Sequence, residues 1–501
     1  MVDLRLVPGA MAAWAVSAAG IVWGVGPPLA LLSALGGTGW WLAGLWFGDR
    51  VPVLRAATAA VLGTAVLGVG FGLAIGLRCD AVRHHPLVQR FGSTAWVTVV
   101  PGDTPRQSGP GRLMFRADLT QIDDAETSAA VTVFAPAVDF GQLTAGQPAR
   151  FRARIAAPLR RDLTVAVLAA VGRPRFGQAS AVQRIAQSVR ERFAAAAREV
   201  LPADQAAILP GLVLGDTSAV PAGTTAEFRS AGLAHLTAVS GANVTIVCGT
   251  VLLSAYLIGP RAAVVAAAAA LVAFVVVVQP GASVLRAAIM GALGLLAILS
   301  GRRRQAIPVL AATVITVLLI APQLAVDVGF ALSVSATAAL VTVAPMWSAR
   351  LMDKGWPKPL AVAVCIAAAA QVVTAPLIAA ISGRFSVVSV LANLAVTAVI
   401  APITVIGTAA AALGTLSPAA AGVLIRFTGP ELWWLLWVAR QAAQVPGAAV
   451  PVPSGWAGFI TVGVAMLAAI VLWRQRWFRL AAGAALICAA AWSVSGLVGG
   501  P

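Results

Sequence analysis

Between Gly211 and Gly249 the chain reads GLVLGDTSAVPAGTTAEFRSAGLAHLTAVSGANVTIVCG. Asp216, Arg229, His235, Ser240 and Asn243 stand directly before and inside an apolar run long enough to cross a bilayer. Hydrocarbon solvates none of these groups, and a charge or orphaned polar group left in it is costly, so they are expected to face protein or water. On one regular helix Ser240 and Asn243 would lie about 60° apart, with His235 about 80° from Asn243. That arrangement predicts one polar face able to line an aqueous path, with Gly232 and Gly241 permitting close helix approach or local unwinding. Asp216, His235 and Ser240 also supply the residue types of a serine hydrolase. Yet His235 and Ser240 would be about 140° apart on a helix, and no G-x-S-x-G elbow surrounds the serine. The chain is therefore expected not to be an enzyme, with intramembrane hydrolysis a lesser alternative.

Two further sets of cations carry information. In QPGASVLRAAIMGALGLLAILSGRRR, Gln279 to Arg304, Arg286 enters an apolar span shortly after Pro280. It is expected to snorkel to the headgroups or to face the bundle interior. In a strand-like segment, Arg150, Arg152 and Arg154 alternate with Phe151, Ala153 and Ile155. Period-two alternation predicts one cationic and one apolar face, able either to follow a nucleic-acid backbone or simply to sit in solvent.

The elements that must position these residues follow from composition. The 501 residues are 59% hydrophobic and only 11% charged, with mean hydropathy +0.90, against about a quarter charged in soluble proteins. This is the composition of a polytopic membrane protein. The net charge of +17 is accounted for by basic cytoplasmic loops as readily as by nucleic acid. Cys79, Cys248, Cys365 and Cys488 are scattered and His84, His85 and His235 are the only histidines, so no metal site, disulfide framework or cofactor is expected. The apolar run from Pro8 reads as a retained membrane segment.

At about 20 residues per crossing, spans fall near 9–23, 27–47, 56–77, 236–258, 262–278, 283–300, 307–320, 328–347, 360–381, 387–413, 419–445, 455–473 and 478–497. Pro402 interrupts the long 387–413 run, which reads either as one helix or as two half-helices. Between Cys79 and Arg175 the pattern turns polar and alternating, with strands expected at 96–100, 112–122, 130–134, 148–155 and 162–171. Five short strands suit a small barrel of OB type. An amphipathic helix follows, with Val182, Ile185, Val189, Phe193 and Val200 at helical spacing. The fold class is thus an all-α polytopic bundle of about 11 to 13 transmembrane helices with an inserted OB-fold-like β-barrel. Its expected domains are 1–78 (helices), 79–175 (barrel), 176–203 (interfacial helix), 204–475 (main transmembrane domain) and 476–501 (last helix). Arg50, Arg55, Arg261, Arg302, Arg303, Arg304, Arg350, Lys354, Lys358, Arg474, Arg476 and Arg479 fall on one side under this count. That side should be cytoplasmic, leaving the barrel extracytoplasmic.

The leucine-rich G-D run followed by F-R-S-A-G-L-A-H-L-T-A-V-S-G resembles a signature of the ComEC-type competence proteins, DNA-internalisation channels of bacterial membranes. The segment around R-A-A-I-M at Arg286, the run P-Q-L-A-V-D-V-G-F-A-L-S from Pro322 with Asp327 and Ser333, and the stretch from Gln371 through Pro376 to G-R-F-S-V-V-S-V-L-A-N with Arg384 and Asn393 are similar to later parts of that domain, in the same order. The resemblance runs from about Pro202 to Leu413 and extends loosely to the barrel. Many members carry histidine where this chain has Asn243, so a role for that histidine does not transfer. Many also carry a C-terminal metallo-β-lactamase-like domain; this chain ends at Pro501 and has no H-x-H-x-D-H set.

The resemblance implies uptake of single-stranded DNA across the cytoplasmic membrane. DNA would dock at Arg150, Arg152 and Arg154, and the path would be lined by His235, Ser240, Asn243 and Arg286. Asp216, Arg229, Asp327, Gln371 and Asn393 complete the signature set. With no G-x-x-x-x-G-K-[ST] loop in the chain, a separate DNA receptor, nuclease and cytoplasmic motor or DNA-binding protein are expected partners beside membrane lipid. A secondary transporter or flippase of an anionic small or lipid-linked substrate is the alternative.

Overall fold

The computed structural model describes residues 3–47, 52–123, 125–237, 241–279, 282–299, 305–473, 475–477, 480 and 483–484. Three helices come first, α1 (Val7–Trp23), α2 (Gly26–Phe47) and α3 (Pro52–Arg83). The strands follow: β1 (Thr94–Pro101), β2 (Arg106–Gln107), β3 (Arg112–Ile122), β4 (Ala125–Pro136), then the single turn α4 (Ala137–Phe140), β5 (Ala149–Ala156) and β6 (Ala166–Phe176). Helices α5 (Ala181–Val200), α6 (Ala203–Leu214), α7 (Ala222–Ser230), α8 (Gly241–Ala255), α9 (Pro260–Val278), α10 (Ala282–Leu299), α11 (Ala306–Ile320), α12 (Val328–Met352) and α13 (Lys358–Ser382) come next. The chain continues through β7 (Arg384–Ser386), α14 (Ser389–Leu413), α15 (Pro418–Phe427), α16 (Gly429–Gln444), β8 (Ala449–Pro451) and α17 (Gly455–Leu472).

Among the described residues, seven helices are long and apolar enough to cross a membrane, six shorter apolar helices accompany them, and the long ones keep most of their surface outside the protein interior. An apolar helix exposed over most of its circumference needs lipid around it. The protein is a membrane protein.

The chain forms two compact units, Met1–Val189 with Cys248–Ala331, and Arg190–Val247 with Leu332–Pro501. In the first, α2 crosses α3 where Gly72 and Gly76 remove the side chains. A Cβ on Gly72 would stand 2.8 Å from the Gly26 carbonyl oxygen, and one on Gly76 2.9 Å from Cγ of Pro27. Small residues one turn apart let helix backbones approach in this way.

The strands close into a five-stranded barrel in the order β1–β5–β6–β4–β3, with β3 returning to pair with β1 and the short β2 added to β3. All main pairings are antiparallel except β4 with β6. Val97, Val99, Phe115, Leu119, Val133, Phe151 and Leu168 fill its interior as period-two alternation requires, joined by Phe140 from α4. The fifth main strand runs beyond the expected Val171 to Phe176, because β5 still offers a ladder there: Ala149 pairs with Phe176 and Arg150 with Arg175 across a bulge.

The barrel stands at one end of the helices of its own unit. Thr104 Oγ1 donates to Gln279 Oε1 (2.6 Å) just past the end of α9. Arg161 Nη1 donates to the Val22 carbonyl (3.1 Å) in the last turn of α1. Arg116 lies 3.9 Å from Asp327, whose Oδ1 accepts from Phe330 N at 2.9 Å and so caps the start of α12.

In the second unit α14 packs against α6, α15 and α16, and α13 against α14 and α17. Leu209, Val213, Phe228, Leu233, Ile425, Leu432 and Leu435 are fully buried there. The structure settles two of the long runs. The run from 387 to 413 does not break: α14 is continuous with Pro402 inside it, since one missing N–H and the displaced Ala398 carbonyl are tolerated among neighbouring helices. The run from 419 to 445 instead divides into α15 and α16 at Thr428–Gly429–Pro430. There the Thr428 hydroxyl donates to the Ile425 carbonyl, 2.7 Å, closing the first helix, while the proline opens the second.

Candidate functional site

The signature stretch is built around a helix end. Helix α6 contains Pro210 and stops at Gly215, which takes the left-handed conformation (φ 75°) and donates to the Gly211 carbonyl. Asp216 N reaches back to the Pro210 carbonyl at 3.2 Å, closing a wide left-handed helix end. The Leu212 carbonyl is one of the acceptors such an end leaves over. Asn243, buried on α8, donates its Nδ2 to that oxygen at 2.7 Å. A small pocket lined by Leu212, Leu236, Asn243, Ile400, Ile403 and Thr404 opens beside this bond. Asp216 Oδ1 accepts from the Ser218 backbone N–H (3.1 Å) and hydroxyl (2.6 Å). Buried Arg190 donates to the Leu214 carbonyl from the other side at 3.3 Å.

A second cluster joins the signature loop to α13 and α14. Gly232 (φ 74°) lies against Ser389 so closely that a Cβ there would stand 2.4 Å from both Cβ and Oγ of the serine. Ser389 Oγ donates to Gln371 Oε1 (2.9 Å), and Gln371 Nε2 donates to the Ser386 carbonyl (3.3 Å). Asn393 Nδ2 donates to the Ser389 carbonyl (2.8 Å) and reaches the Gly232 carbonyl at 3.5 Å. Ser386 Oγ donates to the Ser230 carbonyl at 2.8 Å. The two sequence-predicted residues Gln371 and Asn393 are thus brought together, around Ser386 and Ser389, which sequence reasoning had not singled out. Their polar groups satisfy one another and the loop backbone, which fixes the loop between Ser230 and Gly232 onto α14.

The other predicted residues are dispersed. Arg229 is exposed in the last turn of α7, where a cation suits the helix dipole. His235 is exposed on a 3-10 turn, Ala234–Leu236, which ends at the non-helical Thr237 and is not part of α8. The expected common helix face of His235, Ser240 and Asn243 therefore fails for His235. The left-handed Gly232 and the Thr237 hydroxyl, bonded back to the Ala234 carbonyl (2.8 Å), hold a turn in place of a helix. Ser240 lies outside the described residues, as do Arg302, Arg303 and Arg304.

In the first unit the cationic strand is as expected. Arg150, Arg152 and Arg154 are exposed along β5, while Ala149, Phe151, Ala153 and Ile155 point into the barrel. Sequence reasoning missed Trp96. On β1 it is the register partner of Arg152, 39% exposed, with the Arg150 guanidinium 5.9 Å from its ring centroid. Its position is fixed from behind: Asp123 N donates to the Trp96 carbonyl (2.6 Å) and Trp96 N donates to Asp123 Oδ1 (3.1 Å). Asp123 in turn pairs with Arg90 at 2.6 Å. The hydrogen bond from Arg90, and then that from Trp96 N, hold the Asp123 carboxyl below its usual 3.8. An aromatic ring amid alternating arginines was detectable only once the β1–β5 register was known. Arg286 is buried (6% exposed), about one turn into α10, with Nη1 3.2 Å from Met290 Sδ. It lies on the helix that follows Gln279, the residue that holds the barrel loop through Thr104.

Apolar helices in two packed units, a closed barrel at the end of one bundle and polar side chains locked onto helix ends define a polytopic membrane protein with a β-barrel insert. The chain belongs to the competence protein family, whose profile matches residues 212–477, over half of its length. It therefore has a role in competence and DNA uptake. Neither a curated protein nor a solved structure is similar enough to be matched.

Proposed function

We propose that this chain is the channel through which single-stranded DNA crosses the cytoplasmic membrane during natural transformation, with the barrel as its receiving site. The observation that carries the reading is the fixed Trp96 ring set among Arg150, Arg152 and Arg154 on a barrel seated at the end of a membrane bundle. Guanidiniums on alternate positions of one strand repeat about every 6.6 Å, so successive phosphates can be met by successive arginines. An exposed ring offers any base a stacking surface without demanding its identity.

The strand order, with its one parallel pair between the third and fifth main strands, supports an OB-type barrel. Arg55 near the start of α3 and Arg261 at the start of α9 belong to helix ends opposite the barrel, which supports an extracytoplasmic barrel. Below it, Arg286 would offer the strand a cation inside the bundle. Asp216, already engaged by Ser218, is a structural residue in this reading, and the chain acts without catalysis. A separate motor draws the strand inward.

Binding of oligothymidylate and of a base-free phosphodiester oligomer of equal length to the full chain tests the receiving site. Replacing Arg150, Arg152 and Arg154 by alanine should lower the salt slope for both oligomers by about 2, at about 0.7 per phosphate contact. Trp96→Ala should weaken only the base-bearing oligomer, by roughly 5- to 150-fold for about 1–3 kcal/mol of stacking. Equal affinities in all variants would refute the site.

A further inference from the structure

The loop from β5 to β6 reads A-P-L-R-R-D-L-T-V over residues 157–165. At its tip Leu159 is 101% exposed, so no part of its side chain is shielded by protein, and Arg160 and Arg161 beside it are exposed too. The tip is held in this form. Asp162 Oδ1 accepts from Thr164 N (3.2 Å), Leu163 takes a left-handed φ of 67°, and Val165 N donates to the Ala130 carbonyl (2.9 Å). A leucine displayed on a built loop is costly in water, and its surroundings say what covers it.

Arg161 Nη1 donates to the Val22 carbonyl at 3.1 Å. Val22 is in the last turn of the apolar helix α1, next to Trp23, which is 69% exposed, and Gly24 ends the helix in the left-handed conformation. Tryptophan at the end of an apolar helix sits at the level of the lipid headgroups. The loop is tied to that level by its own arginine.

We propose that this loop is a binding site for anionic phospholipid: Leu159 enters the acyl boundary beside Trp23, and Arg160 and Arg161 hold the phosphate of the headgroup above it. The acyl boundary gives Leu159 the apolar cover the protein withholds, and a guanidinium pair matches phosphate by charge and by paired N–H donors. The one carboxylate in the loop, Asp162, is turned to Thr164 N. Because β5 runs directly into this loop, the contact sets the angle of the Arg150–Arg154 strand to the bilayer. The site stands whether or not that strand binds DNA.

The test uses the full chain in nanodiscs of phosphatidylcholine, alone or mixed with phosphatidylglycerol, with a nitroxide on Leu159→Cys. The signal of the unsubstituted protein, which carries the four native cysteines Cys79, Cys248, Cys365 and Cys488, is subtracted. In mixed discs the label should relax with oxygen more than with a water-soluble nickel chelate, as a group in the acyl region does. Native mass spectrometry should show phosphatidylglycerol retained over phosphatidylcholine, the preference falling roughly fivefold for each arginine replaced by alanine and returning only in part with lysine at both positions, which restores the charge without the paired donors. Free glycerol phosphate added to the mixed discs should not displace phosphatidylglycerol. A label in water in both lipids, equal lipid retention after both arginines are removed, or full competition by glycerol phosphate would overturn the proposal.

Discussion

Gly232→Ala would test how the signature loop is seated. At φ 74° an alanine pays about 1–2 kcal/mol for the left-handed backbone. Its Cβ would stand 2.4 Å from Cβ and Oγ of Ser389, less than any real contact, and the neighbour is the first residue of α14, close to backbone and unable to swing away. Ser389 must therefore shift, weakening its bond to Gln371 and the one it receives from Asn393, at about 0.5–1.5 kcal/mol each. The sum is about 2–5 kcal/mol. Thermal unfolding in detergent, followed by intrinsic tryptophan fluorescence, should show a midpoint roughly 4–20 °C lower, at about 2–4 °C per kcal/mol for a unit of this size. Adding Ser389→Gly should recover part of the loss by clearing the clash, leaving the backbone term and the lost hydroxyl. A Gly232→Ala protein that melts like the native one, or a double variant no better than the single, would refute the seating.

Asn243→Ala should leave the buried Leu212 carbonyl without its donor and cost about 1–3 kcal/mol, read in the same melts. Asn243→His, which keeps a ring N–H to donate, should fall between the two. Asp123 governs an acid response: its carboxyl is held below 3.8 by Arg90 and Trp96 N, so its contribution is complete above 3.8 and is lost as pH falls through that value towards the lower folded one. The melting difference between native protein and Asp123→Asn should therefore be present at pH 6 and shrink steadily below about pH 4. A difference independent of pH would dissociate Asp123 from the support of Trp96.

The parts of this molecule legible from sequence were those in which one local period decides. Strand β5 alternates arginine with Phe151, Ala153 and Ile155, and a period of two admits one arrangement of faces. The five strands and the apolar helices announced themselves similarly, whereas Gln371 and Asn393 stood out only through the resemblance to the family. What depended on partners far along the chain was not legible. Trp96 gains meaning only because β1 pairs with β5 and places it opposite Arg152. Ser386 and Ser389 become part of a site only through α13 and the loop at Gly232. The error over His235 came from extending one helix through residues that a left-handed glycine and a 3-10 turn remove from it. The undivided α14 shows the converse, a proline whose local penalty is overridden by the packing on both sides of it.

The channel reading is tested most directly by entry of labelled DNA into a DNase-protected compartment. The cells would lack this gene and be complemented with the native chain or with Arg286→Ala, with equal amounts of each protein verified in the membrane. Uptake lost on deletion, restored by the native chain and not by Arg286→Ala, is the predicted result. Uptake that persists without the gene would contradict it and would favour transport of a smaller anion through the same bundle.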